Sequence, residues 1–327
     1  MMFTEKFEKH LYSKHELKFN NDGKFKILMM SDIQEPLNID KRTLPAINKL
    51  IDFVKPDFIM LGGDNCDHNS VKTKDDIKTY LDKITVPMES RKIPWAHVFG
   101  NHDHDIKVDD VEKTEIYESY PYCISKHSEG IFGTTNFILP VKKSDSEDIA
   151  FNIWAIDTND LITDSSIKLN EDKFSLKRPI NSDAWDIIHF DQQMWYYLNS
   201  MEFEKRCGRK IPEFMFQHIA LWEFQYIADN MEKLSGSGCT EERMGLGHYN
   251  SGMFSVIAER GDIISVASGH SHIDDFSGKL AGITLSLDSS AGYSPYGYDE
   301  NRGGRVFEID EKDIENFKTY MVHYKDL

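Results

Sequence analysis

Residues 95–103 read WAHVFGNHD: a short apolar, β-prone run that stops at Gly100 and is followed at once by Asn101, His102 and Asp103. A run of this kind reads as a buried strand, and its end delivers polar groups to one edge of a sheet. The pattern occurs twice upstream. Lys24–Met30 (KFKILMM) stops at Ser31 and Asp32, and Asp57–Leu61 (DFIML) stops at Gly62, Gly63 and Asp64. Between those two runs Leu44, Ile47, Leu50, Ile51 and Val54 recur at helical spacing, with Pro45 tolerable in a first turn and Pro56 marking the stop. Ile77, Tyr80, Leu81 and Ile84 form a second apolar face ahead of Trp95. Strand, helix, strand, helix, strand is two consecutive βαβ units.

Further strands are expected at 136–141, 151–156, 213–217 and 263–267, with helices around 191–200 and 252–259. Residues 283–287, 305–309 and 319–322 add a strand-rich end. Helix-alternating first half and strand-rich second half predict an α/β protein: a four-layer α/β/β/α sandwich of two mixed sheets with helices outside. The polar stretches 142–148, 158–183 and 231–249 lie between strands and read as long surface loops. No linker divides the chain, so residues 1–327 are expected to form a single domain.

Lys and Arg number 38 against 55 Asp and Glu, a net charge of −17, with no local basic cluster. Binding to nucleic acid or to an anionic membrane surface is disfavoured. The four cysteines, Cys66, Cys123, Cys207 and Cys239, form no CxxC pair or zinc-ribbon spacing and read as free thiols in a reducing compartment. Residues 1–19 carry charges throughout and lack the apolar core of a signal peptide, and there is no uncharged run long enough for a membrane span. The expectation is a soluble cytoplasmic protein.

Potential metal ligands follow the strands: Asp32, Asp64, Asn101 with His102, His218 and His270. In open α/β sheets ligands bind beyond the carboxyl ends of the strands, so groups far apart in sequence can share one site. Two divalent ions roughly 3.5–4 Å apart, bridged by a carboxylate, activate water and stabilise both oxygens of a phosphoryl displacement. Imidazole, amide oxygen and carboxylate together suit manganese, iron or zinc better than calcium.

Taken in order, Asp32-Ile33-Gln34, Gly63-Asp64-Asn65-Cys66, Gly100-Asn101-His102-Asp103, His218 and Gly269-His270-Ser271-His272 resemble the five motifs of the calcineurin-like metallophosphoesterases. Those motifs run D-x-H, G-D-x-x, G-N-H-[DE], a single His and G-H-x-H. The resemblance implies one metal held by Asp32, Asp64 and His272, with Gln34 where the family usually has histidine, and a second held by Asp64, Asn101, His218 and His270. His102 would protonate the leaving oxygen or stabilise the transition state, and Asp103 would orient it. Asp67 stands where purple acid phosphatases carry a metal-ligating tyrosine, so their charge-transfer colour is not expected. Residues 217–224 (QHIALWEF), 250–254, 272–276 and the stretch from Gly292 to Val306 are similar to the fungal cell-cycle regulator phosphatases and their plant purple-acid-phosphatase-like relatives.

The activity implied is metal-dependent hydrolysis of a phosphomonoester, from a phosphorylated small molecule or a phosphoprotein, by a hydroxide activated between two divalent ions, Mn2+, Fe or Zn2+. Cleavage of a phosphodiester or nucleotide is the alternative within enzymes. Outside enzymes the alternative is a phosphoesterase-fold scaffold, since Gln34 either ligates through a weak amide oxygen or only hydrogen-bonds nearby. Asn65, Arg302 and Arg305 have phosphate-binding and structural readings, with the structural one favoured for Asn65 and at least one arginine. His97, His104, His127, His189 and His248 lack motif support, His248 having a lesser reading as a residue of the substrate mouth, and Trp195, Tyr196 and Tyr197 read as core.

Overall fold

The computed structural model describes residues 14–161 and 182–327. After a two-residue β1 (Leu17–Lys18) come β2 (Lys24–Met30), α1 (Thr43–Val54), β3 (Phe58–Leu61), α2 (Lys74–Ile84), a short α3 (Val86–Glu89), β4 (Trp95–His97), α4 (Asn101–His104) and α5 (Asp110–Glu118). The second half holds β5 (Phe137–Lys142), β6 (Ile149–Ala155), β7 (Ser182–Trp185), α6 (Phe190–Cys207), β8 (Glu213–Phe216), α7 (Trp222–Ala228), β9 (Leu246–Gly247), α8 (Met253–Arg260) and β10 (Ile263–Ser268). Strands β11 (Ser277–Leu280), β12 (Ile283–Leu287), β13 (Gly303–Asp310) and β14 (Lys318–His323) complete it.

Local chemistry sets the ends of these elements. Helix α2 starts at a reciprocal cap in which the Thr73 hydroxyl accepts from Asp76 N–H at 3.1 Å and the Asp76 carboxylate accepts from Thr73 N–H at 3.0 Å. Helix α1 ends where Lys55 turns left-handed (φ 52°), just before Pro56. Regular pairing of β4 stops at His97, and two residues on Phe99 N–H bonds the Thr135 hydroxyl at 3.0 Å.

The strands form a five-stranded sheet ordered β14-β13-β2-β3-β4 and a seven-stranded sheet ordered β1-β5-β6-β8-β10-β12-β11, with β7 and β9 pairing separately. Strands β2, β3 and β4 run parallel, as do β6, β8, β10 and β12, while β13 and β14 are antiparallel additions to the smaller sheet. Alternation along β2 shows how the sheets stack. Phe25, Ile27 and Met29 join Phe58, Met60 and Phe307 against Phe151, Ile153, Phe214 and Phe216 of the larger sheet. Leu28 and Met30 point the other way, into a layer closed by Ile47, Leu50 and Ile51 of α1 and Ile77, Tyr80 and Leu81 of α2. The larger sheet's outer face packs Trp154, Met215 and Val266 under α6, α7 and α8. This is the four-layer α/β/β/α sandwich of two mixed sheets. Each fully buried large apolar side chain contributes about 1.5–3 kcal/mol, so all three apolar layers stabilise the stack.

Short elements that the sequence reading does not expect include β1, α3, α4, β7 and α7, and three more depart from it in instructive ways. Edge strand β11 (SGKL) has too few apolar residues to announce itself, helix α5 exposes Val111 and buries Lys113, and β9 interrupts the stretch 231–249 that reads as loop. Most of the loop expected at 158–183 lies outside the described residues.

A buried polar triad clamps α5 to the larger sheet. The His104 ring contacts Asp110 through Nδ1 at 2.8 Å and Asp157 through Nε2 at 2.9 Å, and Asp157 also accepts from Thr134 and Thr135 N–H at 2.7 and 3.1 Å. Burial opposes charge on both partners, but the Asp157 carboxylate holds His104 well above its usual 6.5, and His104 holds Asp157 below its usual 3.8. The histidine's contribution is therefore complete below pH 6.5 and lost as pH rises through its folded value; the aspartate's is complete above pH 3.8 and lost as pH falls through its own. Asp157→Asn should cost about 3 kcal/mol of unfolding free energy between those limits, read by urea denaturation across pH, with the gap to wild type closing on either side. A gap independent of pH would reject the ion-paired triad.

Candidate metal centre

Every expected site residue lies at the carboxyl edge of one of the two sheets. Asp32 follows β2, Asp64 follows β3, Asn101 opens α4 beyond β4, His218 follows β8, and His270 and His272 follow β10. The two edges meet: His218 Nε2 is 3.4 Å from Asp64 Oδ2, and His272 Nε2 is 3.2 Å from Asp32 Oδ1. A backbone bond stitches the same seam, Ala291 N–H donating to the Ser31 carbonyl at 2.8 Å, while Gly269 N–H donates to the His218 carbonyl at 3.1 Å within the larger sheet's edge.

The chain reaches this geometry through left-handed backbone. Asp32 (φ 52°), Gln34 (39°), Asp64 (49°) and His270 (70°) all occupy that region, at an order of 1–3 kcal/mol each for non-glycine residues. Gly63, at φ 95°, lies so close to the His218 ring that a Cβ would overlap it.

Two clusters share one carboxylate. Asp64, His218 and His270 each offer one ligand atom, all mutually within 4.8 Å, and Asp32, Asp64 and His272 do the same. Asp32 Oδ1, His218 Nε2 and Asn101 Oδ1 are buried with no hydrogen-bond partner among the described residues. Orphaned buried polar atoms are costly, and lone pairs converging on one point fit a cation. The imidazole tautomers agree with that fit. His218 Nδ1 donates to the Gly62 carbonyl at 2.9 Å and His272 Nδ1 to that of Tyr296 at 3.0 Å, which turns each Nε2 lone pair inward. The remaining carboxylate capacity is used locally: Asp32 Oδ2 accepts from the Ser31 hydroxyl at 2.6 Å and His270 N–H at 3.0 Å, and Asp64 Oδ1 accepts from His102 N–H at 2.8 Å.

The site's electrostatics favour positive charge. Burial works against ionised Asp32 and Asp64, yet His218 and His272 hold Asp32, and His218 holds Asp64, below the usual carboxylate value. His218 is pushed up to about 9 because Asp64 and Asp32 outweigh its burial, whereas burial and the neighbouring His218 push His270 down to about 3. Burial and Asp64 together lift Asp103 to about 6.

The Asp103 side chain is not placed as the resemblance implies. It turns under the loop, accepting from Gly100 N–H at 2.9 Å, Asn65 N–H at 3.1 Å and the Asn65 amide at 3.0 Å. The carboxylate on His102 Nδ1 is Asp105, at 2.9 Å. Its i,i+3 spacing from His102 is the signal that sequence offers for it. Gln34 is tied in by its backbone, donating to the Asp64 carbonyl at 3.0 Å, with its side chain half-buried. Sequence reading also missed Tyr296, whose ring stacks on His272 at 4.0 Å while its hydroxyl meets Glu242.

Other polar candidates are structural. Asn65 also bonds the Val98 carbonyl at 2.9 Å; Arg302 grips Ser290 at 3.1 Å and the Pro295 carbonyl at 2.8 Å; Arg305 donates to the Leu287 carbonyl at 2.9 Å. His97 is buried on the Ser125 hydroxyl at 2.7 Å, His127 pairs with Glu118, His189 with Asp186, and His248 is buried after β9. Trp195 and Tyr196 pack edge-on against Trp154, as core residues do. Cys66 and Cys123 are buried free thiols, and no described helix is long and apolar enough to cross a membrane.

Two stacked mixed sheets with carboxylates and imidazoles meeting at their carboxyl edges define a metallophosphoesterase architecture. The calcineurin-like phosphoesterase profile matches residues 25–274, and the chain belongs to that family. It is 28% identical over 319 residues, 88% of this chain and 75% of the relative, to "Probable inactive purple acid phosphatase 14" of Arabidopsis thaliana. It is 24% identical to "Phosphatase DCR2" of Saccharomyces cerevisiae over 80% of this chain and 46% of that one. These relatives match the branch indicated by the sequence. Among solved structures, a dimetal phosphatase from Danio rerio shares the fold with a TM-score of 0.57 at 11% identity, covering 92% of this chain and 99% of the other.

Gly63→Ala tests the seam directly. A methyl at φ 95° must displace the His218 ring, so the urea midpoint should fall by the equivalent of about 1–3 kcal/mol with an unchanged m-value. A midpoint equal to wild type would mean that the close approach is not maintained in solution.

Proposed function

We propose that this chain is a metal-dependent phosphoester hydrolase acting on phosphomonoesters, and that residues 1–327 form one catalytic domain. The observation that carries the reading is the gathering of Asp32, His218, His270 and His272 about the Asp64 carboxylate, with Asp32 Oδ1 and His218 Nε2 buried and without a hydrogen-bond partner among the described residues. One cation would be held by Asp32, Asp64 and His272, with the Gln34 amide beside them, and the other by Asp64, Asn101, His218 and His270. Two divalent ions, manganese, iron or zinc, would supply Lewis acidity that lowers the pKa of an attacking water and offsets charge on the phosphoryl oxygens.

The protein's own contribution is positional. Asp64 shares its carboxylate between both clusters, which sets their separation. The Gly62 and Tyr296 carbonyls fix the His218 and His272 rings so that neither can turn away. His102, its backbone bonded to Asp64 and its Nδ1 to Asp105, has Nε2 left to carry a proton to the leaving oxygen. Asp103 serves that step indirectly by bracing the Asn65 and Gly100 turns. The substrate is a phosphorylated small molecule or a phosphoprotein, in a soluble cytoplasmic setting.

A second reading, a phosphoesterase-fold scaffold with a weakened site, is favoured by one specific feature, Gln34 in place of histidine, and by the word "inactive" in the name of the Arabidopsis relative. Metal-stripped protein titrated with manganese separates the two. Turnover of a chromogenic phosphomonoester should appear with metal, exceed turnover of the matching diester, and vanish in Asn101→Ala together with one equivalent of bound metal. One bound equivalent or none, with no turnover of either ester, would favour the scaffold, whereas two bound equivalents without turnover would point to a substrate outside the pair tested.

His102→Ala should keep both metal equivalents and lose roughly a hundred- to ten-thousand-fold in rate, most for esters with poor leaving groups. An equal loss for good and poor leaving groups would remove the acid role. Gln34→His should tighten manganese in a calorimetric titration if the amide is a ligand, and unchanged affinity would assign the amide to hydrogen bonding.

A further inference from the structure

A third group of ligand-type side chains stands apart from the shared carboxylate. His68, His102 and Asp105 each present one ligand atom, all within 4.8 Å of one another. Both rings face the same oxygen: His102 Nδ1 is 2.9 Å and His68 Nε2 is 3.9 Å from Asp105 Oδ2. The second distance is too long for a hydrogen bond, so the pair of rings is arranged around the carboxylate without being satisfied by it. The imidazoles are stacked, with centroids 4.5 Å apart and planes 14° from parallel, and His68 Nδ1 is buried with no hydrogen-bond partner among the described residues. The His68 ring is thereby held by packing rather than by polar contacts on that side.

We propose that His68, His102 and Asp105 form a third, separate zinc site, which takes His102 out of proton transfer when it fills. Zinc binds nitrogen and carboxylate oxygen at about 2.0–2.2 Å, which puts donors on a tetrahedron roughly 3.3 Å apart, within the spread seen here. Two imidazoles and one carboxylate are the protein part of an open zinc site, and the exposure of the three side chains, 23, 31 and 34%, leaves room for water in the fourth position. A donor set of two nitrogens and one oxygen suits zinc.

The gating half rests on the reading of His102 as the acid of a phosphoesterase. Asp105 orients that ring through the hydrogen bond at Nδ1. A zinc ion on Nδ1 would take the place of that bond and tie the ring to His68 and Asp105 together, so the ring would no longer be set to meet the leaving oxygen. Free zinc would thus act as a reversible brake, distinct from the cations that support turnover.

Equilibrium dialysis against zinc chloride tests the site without requiring activity. Wild type should hold one more zinc per chain than His68→Ala, with Asp105→Asn matching the His68 variant, whatever the total at the Asp64 centre. His68→Gln, which keeps the bulk of the side chain, guards against misfolding of the alanine variant. Equal zinc counts in wild type and all three variants would overturn the site. In manganese-loaded protein, zinc that fills this site should suppress wild-type turnover at least tenfold, compared with the same protein lacking zinc, and should suppress His68→Ala much less. An extra zinc in wild type with the same zinc response in both proteins would overturn the gating. Absence of turnover in every protein would count against the phosphoesterase reading, while the dialysis result would still decide the site.

Discussion

The Asp64 carboxylate is the contact on which the rest of the molecule depends. It sits just beyond a strand of the five-stranded sheet, yet one oxygen faces His218 of the seven-stranded sheet and the other accepts the His102 backbone N–H. Buried, ionised and shared between two clusters, it would be intolerable alone; isolated burial of a carboxylate costs several kcal/mol after relaxation. His218 relieves part of that cost, its own pKa pushed up to about 9 by the same carboxylate and Asp32 against its burial. The seam between the sheets is therefore electrostatically self-consistent only with positive charge inside it.

The left-handed residues show how the sandwich supports that seam. Four such positions, Asp32, Gln34, Asp64 and His270, cost on the order of 4–12 kcal/mol together, comparable with the whole net stability of a domain. Such strain persists only where the surroundings over-determine it. The middle layer, with Phe25, Phe151 and Phe214 packed edge to face at 5.3–5.6 Å, holds the two sheets against each other. The stretch after β12 anchors the strand ends: Ser290 donates to the Asp32 carbonyl at 2.8 Å and is itself held by Arg302 at 3.1 Å, while the buried Glu35 carboxylate gathers Tyr293 and Ser294 N–H at 2.8 and 3.0 Å. The strand-rich end of the chain, which brings no expected ligand of its own, is thus part of the site's foundation.

Much of this was legible in the sequence because the two signals involved are local. Apolar runs ending at Gly62, Gly100 and Gly269 announce strands, and a polar group just beyond each announces the edge of a sheet, so the sandwich and the placement of Asp32, Asp64, Asn101, His218 and His270 followed from order alone. What was not legible depends on side-chain direction. Asp103 follows His102 directly, but neighbours on a helix do not face one another, and its carboxylate turns to Gly100 and Asn65 instead. Asp105, one turn on, reaches the ring. Tyr296 lies in a loop 24 residues beyond His272, with nothing periodic to connect them. Strand β11 and helix α5 were hidden for a different reason: an edge strand with one buried residue and a helix that buries a lysine carry too little apolar pattern to read.

The direction of Asp105 also changes how the site should be understood. A histidine whose Nδ1 is braced by a carboxylate is held for proton transfer through Nε2, and the same brace, with a second imidazole stacked beside it, is three-quarters of a tetrahedral coordination sphere. Asp103, buried and bonded on both oxygens, has no such freedom. Had Asp103 been the partner, His102 would have been oriented from inside the protein and His68 would have had no shared oxygen to face. Placing the brace at a partly exposed position puts the His102 ring within reach of solvent ions, whereas Asp32, Asp64 and His218 are buried. The difference in burial would separate the two groups if both take cations: a buried one set between the sheets, and an open one whose occupancy would follow the surroundings.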